Sequence, residues 1–260
     1  HYINNMTKTF QILSDIHIEF QNNEVPDPLM YVKPSADILI LAGDVGSLYK
    51  FGQLTEFLTK LCDNFKATFY VPGNHEFYSQ EKCENISFDE LKNRLHSLEK
   101  LVPNLYILEK SSILIDDVLL VGTTLWSFSK INIPKFIVRI HDFTTSIYNK
   151  IHQEQLQYIE NMINFAQQKN YKLVVITHHC PSYSVLQQGK FEKKDKYKSL
   201  YVTNLDYLLS KEKIHTWICG HVHQNFDFVS ENGTRVVGNQ RGKPKDKINN
   251  YKLDYLIEIS

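Results

Sequence analysis

Cys219–Asn225 reads CGHVHQN, in which His221 and His223 flank one valine directly after a glycine and an apolar run. The same one-residue gap separates Asp15 from His17 in SDIH. AGDVG brings Asp44, VPGNHEFY brings Asn74, His75 and Glu76, and ITHHCP brings His178 and His179. Imidazole nitrogen and carboxylate oxygen, without thiolate, suit Mn²⁺, Fe or Zn²⁺ better than a structural Cys-type zinc site. Seven or eight such donors are too many for one tetrahedral ion and match two ions sharing a bridging carboxylate. Residues i and i+2 of an extended segment point the same way. That spacing predicts Asp15 and His17 reaching one point together, and His221 with His223 likewise. Gly43, Gly73 and Gly220 allow sharp backbone turns beside a bound group. Taken singly, each motif also reads as a polar turn; the weight lies in all five, each after an apolar run.

The runs that must position these residues have strand length and β-branched content: TFQILS (9–14), DILILA (37–42), TFYV (68–71) and LVVIT (173–177). Parallel strands would bring their ends to one sheet edge, where ligand sites form. Leu48, Phe51, Leu54, Leu58, Leu61 and Phe65 recur at helical steps, as do Leu91, Leu95, Leu98 and Leu101, and then Leu156, Ile159, Ile163 and Ala166. ILIDDVLLVGT (113–123) reads as two strands around an Asp116-Asp117 turn, and FDFVSENGTRVVG (226–238) as a hairpin turning at Asn232-Gly233. YLIEI (255–259) predicts a last strand. The pattern predicts an α/β (α+β) chain of two packed sheets flanked by helices, one domain over 1–260 without linker or repeat. His1–Asn5, ahead of Met6, read as a candidate appended stretch.

Apolar residues make up 42% of the 260 and charged ones 22%, as in soluble globular proteins. Lys+Arg and Asp+Glu both number 29, so the chain lacks the overall basic footprint of a long-duplex nucleic-acid binder. The four cysteines, Cys62, Cys83, Cys180 and Cys219, form no CxxC pair and fit reduced thiols in a cytoplasmic protein. Aliphatic runs such as ILILA are too short to cross a membrane, and no apolar signal segment opens the chain.

Asp15/His17, Gly43-Asp44, Gly73-Asn74-His75-Glu76, His178 and Gly220-His221-Val222-His223 together resemble the calcineurin-like metallophosphoesterase signature, DxH, GDxx, GNH with an acid, a strand-terminal His and GHxH. GTTLW, HDF, THHCPS and GNQRG further resemble a compact bacterial and phage-type branch, although Gln240 stands where that branch carries proline. The resemblance implies a four-layer sandwich of two mixed β-sheets flanked by helices. It also implies two divalent or trivalent ions, with Asp15, His17 and His223 on the first, Asn74, His178 and His221 on the second, and Asp44 bridging. Such a pair, about 3.5–4 Å apart, activates water for in-line attack at phosphorus. His75 would face the phosphate rather than a metal, as an acid or charge stabiliser. Glu76 would orient a ligand or lie solvated. His178 is preferred to His179 because the ligand directly follows the strand.

Two lysine-rich stretches, GKFEKKDKYK (189–198) and RGKPKDK (241–247), either rim the site or are solvated loops diluted by acids. Arg241 is the leading candidate among their cations. The expected activity is hydrolysis of phosphomonoesters or phosphodiesters, nucleotides included; the rival reading is a protein-binding scaffold of the same fold.

Overall fold

Strands form where β-branched and aromatic residues cluster between turn signals. The computed structural model describes residues 2–3, 8–80, 85–186 and 196–260. Its strands are β1 (Tyr2–Ile3), β2 (Thr9–Leu13), β3 (Ile38–Ala42), β4 (Ala67–Val71), β5 (Leu105–Ile107), β6 (Ser111–Ile115), β7 (Val118–Thr123), β8 (Lys172–Thr177), β9 (Thr216–Ile218), β10 (Phe226–Val229), β11 (Arg235–Gly238) and β12 (Leu256–Glu258). One sheet has the order β12-β2-β3-β4-β5, parallel except for β12. The other runs β1-β6-β7-β8-β9-β11-β10, with antiparallel pairs at β6–β7 and β11–β10. Both sheets are therefore mixed. Tyr2–Ile3, read as part of an appended stretch, add an edge strand against β6.

The layers follow from alternation along each strand. Ile38, Ile40, Phe69 and Val71 face Val118, Leu120, Val174 and Ile176 in an apolar layer between the sheets. The intervening Leu39 and Leu41 turn outward to α1 (Phe51–Cys62) and α2 (Phe88–Leu101). Leu119, Val121, Leu173 and Val175 turn outward to α3 (Thr145–Lys169). Helix α3 begins eleven residues before the aliphatic face that predicts it. Its buried stripe starts with Tyr148, His152 and Gln155, which a count of aliphatic residues passes over, and the Thr144 side chain caps it by accepting from the Ile147 N–H.

Two sheet edges, not one, meet at the polar residues. The ends of β2, β3 and β4 belong to the five-stranded sheet, and those of β8 and β9 to the seven-stranded sheet. Ser14, after β2, forms a parallel bridge with Gln240, after β11. The Ser14 N–H donates to Asn239 O at 3.0 Å, and the Arg241 N–H donates to Ser14 O at 3.1 Å. The Gln240 N–H donates to the Asn225 side chain, a bond that proline at this position could not make.

Candidate metal centre

The backbone bends sharply where several of the polar side chains leave their strands. Asp15, His17, Asp44, His221 and His223 all have positive φ, between 49° and 72°. Non-glycine residues rarely adopt this left-handed region, and such strain collects at functional sites. The i, i+2 expectation is corrected accordingly: Asp15 and His17 come together through successive left-handed turns, not through strand pleating. His221 and His223 do not share one point. Two glycines admit the close approach. Gly43 has φ 89°, and a Cβ on it would lie 2.3 Å from His178 Nδ1; one on Gly73 would lie 2.2 Å from Asp44 Oδ1.

All seven candidate ligands converge. Asp15, His17, Asp44 and His223 form one group of ligand-capable atoms within 4.8 Å of one another, and Asp44, His178 and His221 form a second. Asp44 is common to both. Asn74 Oδ1 is 3.0 Å from His178 Nε2. His179 is in neither group; its ring packs on His221 at 4.0 Å and on Trp126 at 5.6 Å.

Proton placement tests whether cations fit. His17 Nδ1 lies 3.0 Å from Glu19 Oε1, so Nδ1 carries the proton and Nε2 a lone pair. His223 Nδ1 faces Asp246 Oδ2, which leaves its Nε2 likewise bare. These two Nε2 atoms stand 3.1 Å apart. His178 Nδ1 faces Ala42 O at 2.8 Å, and its Nε2 confronts Asn74 Oδ1 and, at 3.3 Å, Asp44 Oδ2. Lone pairs therefore face acceptors, and only a cation or an extra proton satisfies them. Burial opposes charge on His178 and His223, yet the neighbouring carboxylates raise them to about 10 and about 9 respectively. A field that would hold a proton there also holds a divalent ion. Burial opposes ionisation of Asp15 and Asp44 too, but His223 and His178 respectively hold them low. The donor set fits two metal ions.

Carboxylates behind the ligands fix their orientation. Glu76 is fully buried, which excludes the solvated reading. It accepts from the N–H groups of Gly73 (2.8 Å), Asp44 (3.1 Å) and Val45 (2.7 Å), and from the Tyr70 hydroxyl. Burial and nearby Asp44 push its carboxyl up to about 8. Sequence reading missed Glu19, whose Oε1 faces both His17 Nδ1 and, at 2.9 Å, His75 Nδ1. Although buried, Glu19 is held down to about 2 by these imidazoles. The signal was in the sequence: Glu19 follows His17 by the same two-residue step that links Asp15 to His17. Asp246, from a remote loop, carried no such signal.

A cavity of about 390 Å³ opens over the centre, lined by Asp44, Asn74, His75, His221 and His223 and, farther out, by Phe136, Arg139, Tyr201, Lys243 and Lys245. The 241–247 loop thus rims the site through its lysines. Arg241 does not; its guanidinium stacks on Tyr31 at 4.5 Å. The lysine-rich run at 189–195 lies outside the described residues. Among the described residues no helix is long and apolar enough to cross a membrane.

Comparisons with known proteins agree with this fold. The model of the calcineurin-like phosphoesterase family matches residues 8–225. An uncharacterized protein of Acanthamoeba polyphaga mimivirus is 27% identical over 282 residues, covering 97% of each chain. Phosphopantetheinyl hydrolase from Mycobacterium tuberculosis superposes with a TM-score of 0.73 at 15% identity, over 96% of this chain and 95% of that one. A dimetal phosphatase from Danio rerio superposes at 0.52 with 13% identity, over 90% and 87%.

Proposed function

This chain belongs to the calcineurin-like phosphoesterase family, and from that premise we propose that it is a dimetal phosphohydrolase acting on phosphomonoesters or phosphodiesters. The observation that carries the reading is the pair of ligand groups sharing Asp44, with imidazole lone pairs turned toward acceptors. In this assignment Asp15, His17 and His223 would hold one ion and Asn74, His178 and His221 the other, with Asp44 shared by both sets. The oxygen-and-nitrogen donor set suits Mn, Fe or Zn. When bound, such a pair polarises a phosphoryl group and acidifies water at the site.

The remaining work falls to residues of the chain. Glu19 fixes the Nδ1–H tautomer of His75, leaving Nε2 to meet the substrate. Burial lowers the pKa of His75, so a proton taken up at Nε2 is held weakly and readily passed to a leaving oxygen. Its backbone N–H also donates to Asp44 Oδ1 at 2.8 Å, which ties the acid to the bridging carboxylate. Leu200 and Tyr201 line the cavity beside His221 and shield the reacting bond from bulk water. Cys62, Cys180 and Cys219 are free and buried, in keeping with a reducing, cytoplasmic setting for this one-domain enzyme.

Metal analysis of the purified protein, run beside hydrolysis of p-nitrophenyl phosphate and bis(p-nitrophenyl) phosphate, tests the proposal. Bound metal and hydrolysis that a chelator abolishes and Mn²⁺ restores are expected. Metal-free protein that stays inert after Mn²⁺, Fe²⁺ or Zn²⁺ addition overturns it.

A further inference from the structure

The cavity holds more positive charge than one phosphoryl group requires. Arg139, Lys243 and Lys245 line its outer wall, and none has a carboxylate partner among the described residues. Some lysines elsewhere are paired, Lys8 and Lys172 with Asp117, Lys66 with Asp37 and Lys60 with Glu56, and others are not; what sets these three cations apart is that they line one cavity. The one acid in the outer wall, Asp246, is committed to His223 Nδ1 and to the backbone N–H of Lys243. An unmatched group of cations facing one concavity attracts an anion and focuses field into it.

Their placement relative to His75 gives the group a direction. The Arg139 guanidinium sits 5.6 Å from the Tyr78 ring, and that ring is 5.2 Å from the His75 ring. Lys243 Nζ sits 5.9 Å from the Phe20 ring, which is 6.1 Å from His75. Two aromatic rings thus adjoin the histidine, and each has a cation within about 6 Å of its centre. The Ser79 N–H donates to Arg139 O at 2.8 Å and anchors the backbone there.

We propose that the leaving group of the substrate carries a second phosphate, held by Arg139, Lys243 and Lys245 in the cavity they share with His75. This deepens the phosphohydrolase reading and rests on it. Water forms the new P–O bond, the bond to the leaving oxygen breaks, and that oxygen takes up a proton. The products are inorganic phosphate, or a monoester when the substrate is a diester, and a phosphorylated alcohol. Arginine and lysine recognise that second dianion through charge-assisted hydrogen bonds.

The test compares kcat/KM of the metal-loaded enzyme on substrates that differ by one phosphate. Adenosine 3′,5′-bisphosphate is set against adenosine 3′- and 5′-monophosphates, and a thymidine dinucleotide against the same dinucleotide bearing a terminal phosphate. A preference of about 10-fold or more for the extra phosphate is expected from two or three charge-assisted contacts. In Arg139→Ala/Lys245→Ala, and in Lys245→Glu as a second variant, that ratio should fall toward one, mainly through KM. Preference for the bisphosphate alone assigns the site to small molecules, and preference for the phosphorylated dinucleotide as well assigns it to strand ends. A wild-type ratio near one, in an enzyme that hydrolyses p-nitrophenyl esters, overturns the second-phosphate site and leaves the phosphohydrolase reading standing. Failure on every ester overturns both.

Discussion

The two sheets contribute unlike halves to the centre. From the five-stranded sheet come Asp15, His17, Asp44, Asn74 and His75, all buried and backed by Glu19 and Glu76. The seven-stranded sheet supplies only imidazoles, His178, His221 and His223, and the latter two are partly exposed. Their backing is lighter: the carbonyls of Ala42 and Leu200 and the carboxylate of Asp246. One half thus concentrates negative charge in a rigid hydrogen-bonded frame, and the other closes over it with imidazoles alone. The difference teaches that cation attraction and ligand geometry are separable properties here. Damage at Asp44, the one ligand common to both groups, should be felt at both ions, and damage to a ligand of the second half at one.

Asp44→Asn should be the severest test of that contrast, because it weakens both groups. Activity should fall more than about 10³-fold, beyond the loss of one preorganised electrostatic group, and metal stoichiometry should drop at both sites on titration. His75→Ala should retain both metals while kcat falls about 10²–10⁴-fold; full activity with bound metal would remove His75 from catalysis. Glu76→Gln and Glu19→Gln, behind the rigid half, should each lower activity or metal affinity by about 10–100-fold. Asp246→Asn, behind the lighter half, should fall toward the lower end of that range, about 10-fold, with one ion weakened and the other unchanged by calorimetric titration. Equal losses at both ions would break the division between the halves. The mildest effect is expected from His179→Gln, less than about 10-fold with metal stoichiometry intact, against loss of an ion in His178→Asn.

Much of this was legible in the chain. The short motifs fall at strand ends, and β2, β3, β4 and β8 appear where their β-branched runs are. The layered sandwich likewise follows from alternation and helical periodicity. What escaped was whatever depends on backbone conformation or on distant chain segments. Nothing in SDIH announces that Asp15 and His17 both adopt left-handed turns, because Asp and His are ordinarily compatible with extended backbone. Arg139 sits just ahead of the HDF stretch, which does not single it out, and its place at the cavity emerges only from Tyr78 beside it. Arg241, conspicuous among lysines, is drawn aside by the face of Tyr31. Strand β5 was missed because three residues carry too little pattern to register.

The bridge between Ser14 and Gln240 has a consequence for biosynthesis. His17 and His223, facing one another at the centre, are 206 positions apart in the chain. During translation the amino-terminal carboxylates emerge long before the imidazoles that will complete their shell. A ribosome-tethered fragment therefore exposes half of the ligand set, and metal loading there would await the arrival of His221 and His223.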